Sequence, residues 1–549
     1  LFKIELKING DYLKTFACSR PVTVKELVST QLIDERKIII FKLDEMYVTS
    51  EHILEKDGRL ECVSVFTTEG YNIYLDTTIM ILCKAFHNVI SKTEKLIIEH
   101  SIGDGVFCEV IGRTISQAEA NQLESEMKSI VESAFPIRKI NLKPEEVEEF
   151  VRKNKRDDFA KLIKYKNIDM YSCGEYRDYF VRQLAENTSF IKSFRIHYHS
   201  PGLILRYPRK GKSAVEENFV LPRKLFATHQ EHDKWLDLLD LHTVSALNRA
   251  VHEYRMKDLI LIEEALHEKK IVDIANHILW KDSTKLILIA GPSSSGKTTF
   301  AKRLAVQLRV NGIYPIIMGL DDYFLPRTQT PKKADGQYDF ESIEALDLTL
   351  LNNDLQALLN GDVIEPPKFN FISGTRDRSY QKIKLEEKNV LLIEGIHGLN
   401  DDLTAAVPFN QKIKVYVSAL NNLNVDAHNR IPTTDSRKIR RIVRDHFFRN
   451  HSAEQTLNMW DSIRAGEDKN IYPFQENADF MFNSILTYEL CVLKKYATPL
   501  LYGVSKYCCQ FTEAQRLIRL LDHISNIQDS DVPSNSILRE FIGGSIFNY

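Results

Sequence analysis

The sequence predicts a multidomain protein, with α+β units at the front and an α/β unit at the C-terminal end. Three observations carry this prediction. At 549 residues the chain is too long for one hydrophobic core and suggests three or four domains. From Lys285 onward, a wholly apolar run leads into a Gly/Ser-rich loop and then a helical pattern, the unit from which parallel sheets are built. The first 66 residues instead alternate apolar and polar positions between turn signals, as half-buried strands do.

Composition is ordinary for a globular chain, with 43% hydrophobic and 27% charged residues. A formal net charge of −2 gives no global attraction to nucleic acid or acidic membranes, so such binding requires a local patch. The eight cysteines include one adjacent pair, Cys508 and Cys509, and no C-x-x-C, which argues for a reducing compartment over a disulfide framework. Ile79 to Phe86 is too short an apolar run to span a bilayer, and no basic-then-apolar leader opens the sequence. The expectation is a cytoplasmic protein with no membrane partner.

In residues 1–66, Phe2 to Ile8 alternates, Asn9-Gly10 is a hairpin turn signal, and Leu13 to Ala17 is the returning strand. Val22 to Val28 starts a short helix, and Ile38 to Leu43 and Leu60 to Phe66 are further strands. That order suggests a small ubiquitin-like β-grasp. It resembles the TGS domain at the N-terminus of threonyl-tRNA synthetases, in pattern alone, and the resemblance implies a structural or docking module.

Residues 67–225 form the second unit. His100-Ser-Ile-Gly-Asp-Gly-Val-Phe107 resembles a stretch of the α+β editing-like domain of threonyl- and alanyl-tRNA synthetases. Leu142 to Phe150 resembles that domain's helix entry, with Pro144 early and Glu145 and Glu146 in the first turn. Tyr171 to Glu175 lies where that family places a metal-binding Cys and His. The family's zinc site also needs a His-x-x-x-His pair, and the helix from Tyr74 to Phe86 has none, so the unit is expected to lack the zinc ligands and the hydrolysis. His197, His199, His229 and His232 read as polar surface residues. Residues 226–282 repeat apolar positions at helical spacing and read as a connector of two or three helices, an inter-domain clamp.

Residues 283–549 carry the chemistry. The strand Leu286–Ala290 runs into Gly291-Pro-Ser293-Ser294-Ser295-Gly296-Lys297-Thr298, a phosphate loop, and Phe300 to Leu308 continues as a helix. Glycines let the backbone wrap an anion, and the amides from Ser293 to Thr299 face it at a helix N-terminus. Lys297 adds a positive charge, and the Thr298 hydroxyl suits Mg2+. This is the parallel-sheet architecture of P-loop nucleotide-binding proteins, with ATP and Mg2+ as the expected cofactors. The strand Ile316–Leu320 ends in Asp321-Asp322-Tyr323-Phe324, and Val390 to Ile393 ends in Glu394. Carboxylates at such strand tips face the ligand crevice, where Asp321 can take a proton from an attacking hydroxyl and both acids can order the metal with Thr298.

These motifs resemble the uridine kinase/phosphoribulokinase family over nearly all of residues 285 to 510. The resemblance implies that Asp321 is the catalytic base, with Lys297 also catalytic. It makes Phe340 a stacking platform for a base, and Glu341 the replacement for an Asp that grips ribose. In Pro367-Lys-Phe369-Asn-Phe371-Ile-Ser-Gly374-Thr-Arg376 the family's aromatics and Arg survive as Phe369, Phe371 and Arg376, while its pyrimidine-reading His is Gly374. Thr434 to Asp445 follows the family's arginine-rich lid helix. Arg437, Arg440 and Arg444 share one helical face, and the resemblance implies that Arg440 and Arg444 act in catalysis and Arg437 binds substrate. A basic RNA-binding helix is the rival reading of that block. The tail from Pro533 to Ser545 resembles the ending of multidomain nucleoside kinases that also carry the two front domains, and the expectation is that it folds back on another domain.

The resulting expectation is an ATP-dependent nucleoside kinase that phosphorylates the 5′-hydroxyl of a ribonucleoside, uridine or cytidine first. The alternatives are a phosphoribulokinase-like sugar kinase, and an RNA-binding regulator in which tRNA or another RNA meets the front half and ATP drives a switch. A homo-oligomer scaffolded by the front half is a further expectation.

Overall fold

Asn9 and Gly10, at φ of 52° and 90°, turn the chain so that β1 (Phe2–Ile8) pairs antiparallel with β2 (Asp11–Cys18). The helix α1 (Val24–Ser29) and the strands β3 (Ile38–Leu43), β4 (Met46–Val48) and β5 (Gly58–Ser64) follow. The sheet order is β2-β1-β5-β3-β4, with β1 and β5 parallel at its centre. Ile4, Leu6, Leu27, Leu60 and Cys62 fill the core between sheet and helix. The structure is a computed structural model, which describes residues 2–29, 37–160, 168–332, 336, 338–370, 373–377 and 382–548.

The second unit opens with α2 (Thr68–Val89), capped by the Thr67 hydroxyl, which accepts from the Gly70 amide at 3.0 Å. A hairpin follows, β6 (Leu96–Ile102) and β7 (Gly105–Val110), and then α3 (Gln117–Glu132), entered through a reciprocal Ser116–Glu119 capping box. The strand β8 (Ile137–Leu142) leads to α4 (Pro144–Asn154), where Pro144 and the two glutamates stand in the first turn as expected. The unit closes with β9 (Ile168–Cys173), β10 (Tyr176–Asp178), β11 (Arg195–His199) and β12 (Gly202–Arg206). Its two sheets run β8-β9-β10 and β11-β12-β7-β6. Apolar residues of α2 and α3 lie against both, and Ile39, Ile40 and Val63 of the first unit join the same core.

The connector consists of α5 (Arg223–Leu239), α6 (Val244–His252) and α7 (Met256–Trp280). It was expected to clamp separate halves. Instead Leu236, Val244, Leu259, Ile271 and Ile278 lie in one continuous core with Ile287, Phe300 and Ile413 of the C-terminal unit. The connector helices are thus a layer of that unit, because their inward faces find their apolar partners there.

In the C-terminal unit, β13 (Leu286–Ala290) enters the loop before α8 (Lys297–Val310), and β14 (Tyr314–Gly319) follows. Next come α9 (Leu348–Leu359), the ribbon β15 (Lys368–Asn370) and β16 (Thr375–Asp377), β17 (Asn389–Glu394) and β18 (Lys412–Ser418). The chain ends through α10 (Thr433–Arg449), α11 (Trp460–Asn470), β19 (Phe480–Asn483), α12 (Glu489–Tyr502), α13 (Phe511–Asp522) and the short α14 (Arg539–Ile542). The sheet order is β14-β17-β13-β18-β19, and every pairing is parallel. A parallel sheet is covered on both faces, so β13 and β18 are buried throughout. Among the described residues no helix is long and apolar enough to cross a membrane.

Candidate active site

The register of three neighbouring strands gathers the site. Glu394 at the tip of β17 pairs with Gly319 of β14 on one side and Ile289 of β13 on the other. Asp321 follows β14 within one 3-10 turn, and the phosphate loop follows β13. Glu394 accepts a 3.0 Å hydrogen bond from the Thr298 hydroxyl. Burial raises the pKa of both Asp321 and Glu394, reinforced at Asp321 by Asp322, while the Lys297 ammonium opposes the shift at both. Burial lowers the pKa of Lys297, and the ammonium donates to the Pro292 carbonyl at 3.1 Å. One lysine therefore lies in the field of two carboxylates that approach the loop from different strands.

The loop fits a phosphate chain. A Cβ on Gly291 would meet the Val417 carbonyl oxygen at 1.9 Å, so only glycine passes there. Ser294 and Gly296 take positive φ, 57° and 81°, and shape the turn. The Ser294 and Ser295 hydroxyls are buried without protein partners, which suits a ligand that can hydrogen-bond them. The Thr298 hydroxyl and the Glu394 carboxylate are the hard oxygen donors a magnesium ion takes.

The arginine helix α10 departs from the expectation of a lid. Arg437 and Arg440 are fully buried, and Arg440 pairs with Glu489 at 2.5 Å. Arg437 pairs with Glu467 and donates to the Ser293 carbonyl at 2.8 Å. Arg440 donates toward the Ser294 carbonyl at 3.4 Å, and the Ser484 hydroxyl donates to the Ser295 carbonyl at 2.5 Å. These bonds hold three successive loop carbonyls outward. Arg440, expected to act in catalysis, and Arg437, expected to contact substrate, are here engaged in bracing the loop. The same burial removes these arginines from any RNA-facing surface.

Arg444, largely buried and paired with Asp445 at 2.8 Å, does bear on Lys297. Arg449, which the sequence reading passed over, bears on Asp321. Arg441, also passed over, donates from Nη1 to the Ser293 hydroxyl at 2.5 Å and lies in the field of Glu341. Burial lowers the Arg441 pKa to about 10. A signal for Arg449 existed, since it stands one turn beyond Asp445 on the same face.

On the acceptor side, Phe324, Phe340 and Phe369 form an aromatic wall, with ring centroids 6.1 Å apart for Phe324–Phe340 and 5.7 Å for Phe324–Phe369. Phe340 remains 40% exposed, flanked by Phe324 and Tyr338. Phe371 lies outside the described residues. Arg376 braces this wall, donating to the Phe324 carbonyl at 2.8 Å and to Asp347 at 2.9 Å. Glu341 packs its carboxylate on α11, where a Cβ at Gly466 would meet Oε2 at 2.0 Å. Gly374 has φ of 69°, and a Cβ there would meet Arg327 Cδ at 2.7 Å. Arg327 thus covers the place where a residue larger than glycine would project.

The tail closes on the loop, within the C-terminal unit rather than on another domain. Ile537 packs on Gly296, whose Cβ would meet its Cγ2 at 2.4 Å. The Glu540 carboxylate accepts from the Thr299 amide at 3.1 Å and from its hydroxyl at 2.7 Å. A carboxylate thereby caps α8, whose N-cap Gly296 has no side chain to do so.

Comparison with known proteins places this geometry. Residues 286–490 match the Phosphoribulokinase / Uridine kinase family. The uridine kinase of Lactobacillus helveticus is 30% identical over 198 residues, which cover 36% of this chain and 84% of that protein. The uridine kinase of Halalkalibacterium halodurans is 31% identical over 178 residues, covering 32% and 75% respectively. That of Ureaplasma parvum serovar 3 is 26% identical over 195 residues, covering 35% and 85%. These similarities fall on the unit whose strand tips carry Asp321, Lys297 and Glu394, and through that unit the chain belongs to the phosphoribulokinase/uridine kinase family.

Proposed function

We propose that the protein transfers the γ-phosphate of ATP to the 5′-hydroxyl of a ribonucleoside, with uridine and cytidine as the first candidates. The observation that carries this reading is the meeting of Lys297, Thr298, Glu394 and Asp321 at the ends of three adjacent parallel strands. The loop amides and Lys297 bind the phosphates, and Thr298 and Glu394 would hold a magnesium ion, which would supply charge neutralisation. Asp321 accepts the proton of the attacking hydroxyl, and its raised pKa makes it a better base than an exposed aspartate. Arg444 and Arg449 supply positive charge where negative charge develops on the transferred group. Phe340, at 40% exposure, stacks the base of the acceptor, which favours a nucleoside over a bare sugar phosphate.

The first two units belong to this proposal as TGS-like and editing-like modules that scaffold the kinase, support a homo-oligomer or dock RNA. Asp321→Asn tests the chemistry. The variant is expected to bind ATP as the parent does and to lose about 10²–10⁴-fold in kcat, the range that general-base removal costs. Undiminished turnover would remove Asp321 from the role.

A further inference from the structure

We propose that Glu99, His100 and Asp233 form a site for a divalent transition-metal ion, of the class zinc represents, at the seam between the second unit and the kinase unit. The backbone builds it. β6 pairs with β7 at Ile97↔Glu109 and Ile98↔Cys108, and regular pairing resumes at Ser101↔Val106. Three steps on β6 therefore face two on β7, a bulge at Glu99–His100. Neighbours on a regular strand point to opposite faces, whereas here both are buried, at 8% and 2% exposure. Each offers a donor atom within 4.8 Å of the others and of Asp233, which α5 brings to the same point. His100 Nδ1 stands 4.0 Å from Asp233 Oδ2. Metal–donor bonds of about 2.0–2.2 Å place tetrahedral donors roughly 3.3 Å apart, so modest side-chain rotation closes the set.

The imidazole of His100 is the second, independent observation. Both of its ring nitrogens are buried and neither has a hydrogen-bond partner. A buried polar group left so is costly. Its stacking on His229, with centroids 3.8 Å apart at 5°, accounts for the place of the ring but not for its nitrogens. His232 Nδ1, one helical turn beyond His229, is also buried without a partner.

Charge points the same way. The charged groups that act on Glu99, namely Asp233, Glu109 and Asp237, are all acidic. One cation does bear on the cluster: Arg430, engaged with the Ser101 hydroxyl, acts on His100 and His229. Asn422 of the kinase unit donates to Asp233 Oδ1 at 2.5 Å and meets His229 Nδ1 at 2.6 Å, which orients the ligand face of α5. Among the described residues the other cluster of ligand-type groups, Cys83, Asp178 and His428, already holds a cation, because Arg156 Nη1 lies 2.6 Å from Asp178 and 3.1 Å from His428.

The test uses the full chain, stripped with a chelator and titrated with Zn2+ in saturating Mg2+, which occupies the phosphoryl-transfer site. Bound zinc and the thermal midpoint are both read. The expected result is one zinc per chain with a raised midpoint. Binding should be at least ~100-fold weaker in His100→Ala and in Asp233→Asn, and unchanged in His197→Ala, which alters an exposed histidine. Asp233→Asn keeps its shape, so it serves if His100→Ala does not fold. Absence of stoichiometric zinc in the parent, or equally tight binding in Asp233→Asn, overturns the proposal.

Discussion

Replacing Arg440 separates a loop brace from a catalytic lid. Its guanidinium is fully buried and donates to Glu489 at 2.9 Å and 2.5 Å, to the Ser484 carbonyl at 2.8 Å and toward the Ser294 carbonyl at 3.4 Å. Phe541 of the tail lies beneath it at 5.0 Å. Arg440→Ala leaves the Glu489 carboxylate charged and buried without its partner, a loss of about 3–5 kcal/mol. With a urea slope of roughly 1–3 kcal/mol per molar, the unfolding midpoint falls by about 1 M or more. Trp460, buried against Arg437 and Lys438 on the same helix, supplies a fluorescence probe. Glu489→Leu should cost a similar amount. The double variant Arg440→Met with Glu489→Leu should cost much less than the sum, because both charges leave together. Arg444→Ala leaves Asp445 paired with Arg441 and Arg449, so it should lose less stability than Arg440→Ala and lose kcat instead. An Arg440→Ala protein as stable as the parent but catalytically dead would refute the brace and restore the lid.

Two other perturbations follow from the same geometry. Glu540→Gln removes a negative charge from the N-terminus of α8, so the KM for ATP is expected to fall a few-fold. A raised KM would mean instead that the carboxylate helps build the site. Glu263, buried and pushed up to about 8 from an ordinary 4.5, is protonated in the folded protein over a range where the unfolded chain is ionised. The native state then binds the extra proton, so its contribution to stability declines as pH rises from about 4.5 to about 8. Urea midpoints at pH 5 and pH 8 read this slope, and Glu263→Gln should flatten it. An unaltered slope in that variant would place its origin elsewhere.

The parts legible in the sequence were those whose causes are local. An apolar strand, a glycine that must pass a neighbouring carbonyl, and acids at strand tips are each contained in a few consecutive residues. The arginine helix shows the limit. Spacing put Arg437, Arg440 and Arg444 on one face, but their surroundings depend on Glu467 and Glu489, acids 30 and 49 positions away. His229 and His232, read as surface residues, are buried, because what covers them comes from the strand carrying His100 and the loop carrying Asn422. The Glu99–His100 bulge breaks the period-2 rule by which a strand is read, so its two side chains could not be assigned to one face beforehand. The tail offered a resemblance but no mechanism, and its role is visible only where Glu540 meets Thr299.

The central claim is phosphoryl transfer to a nucleoside, and a panel of acceptors tests it most directly. ATP consumption and product formation would be followed with Mg2+ present, against ribonucleosides, deoxyribonucleosides and pentose phosphates. The account predicts turnover of a ribonucleoside to its 5′-monophosphate, dependent on Asp321 and led by uridine or cytidine. Turnover of a pentose phosphate with every nucleoside inert, or intact ATP binding with no acceptor phosphorylated, would contradict it.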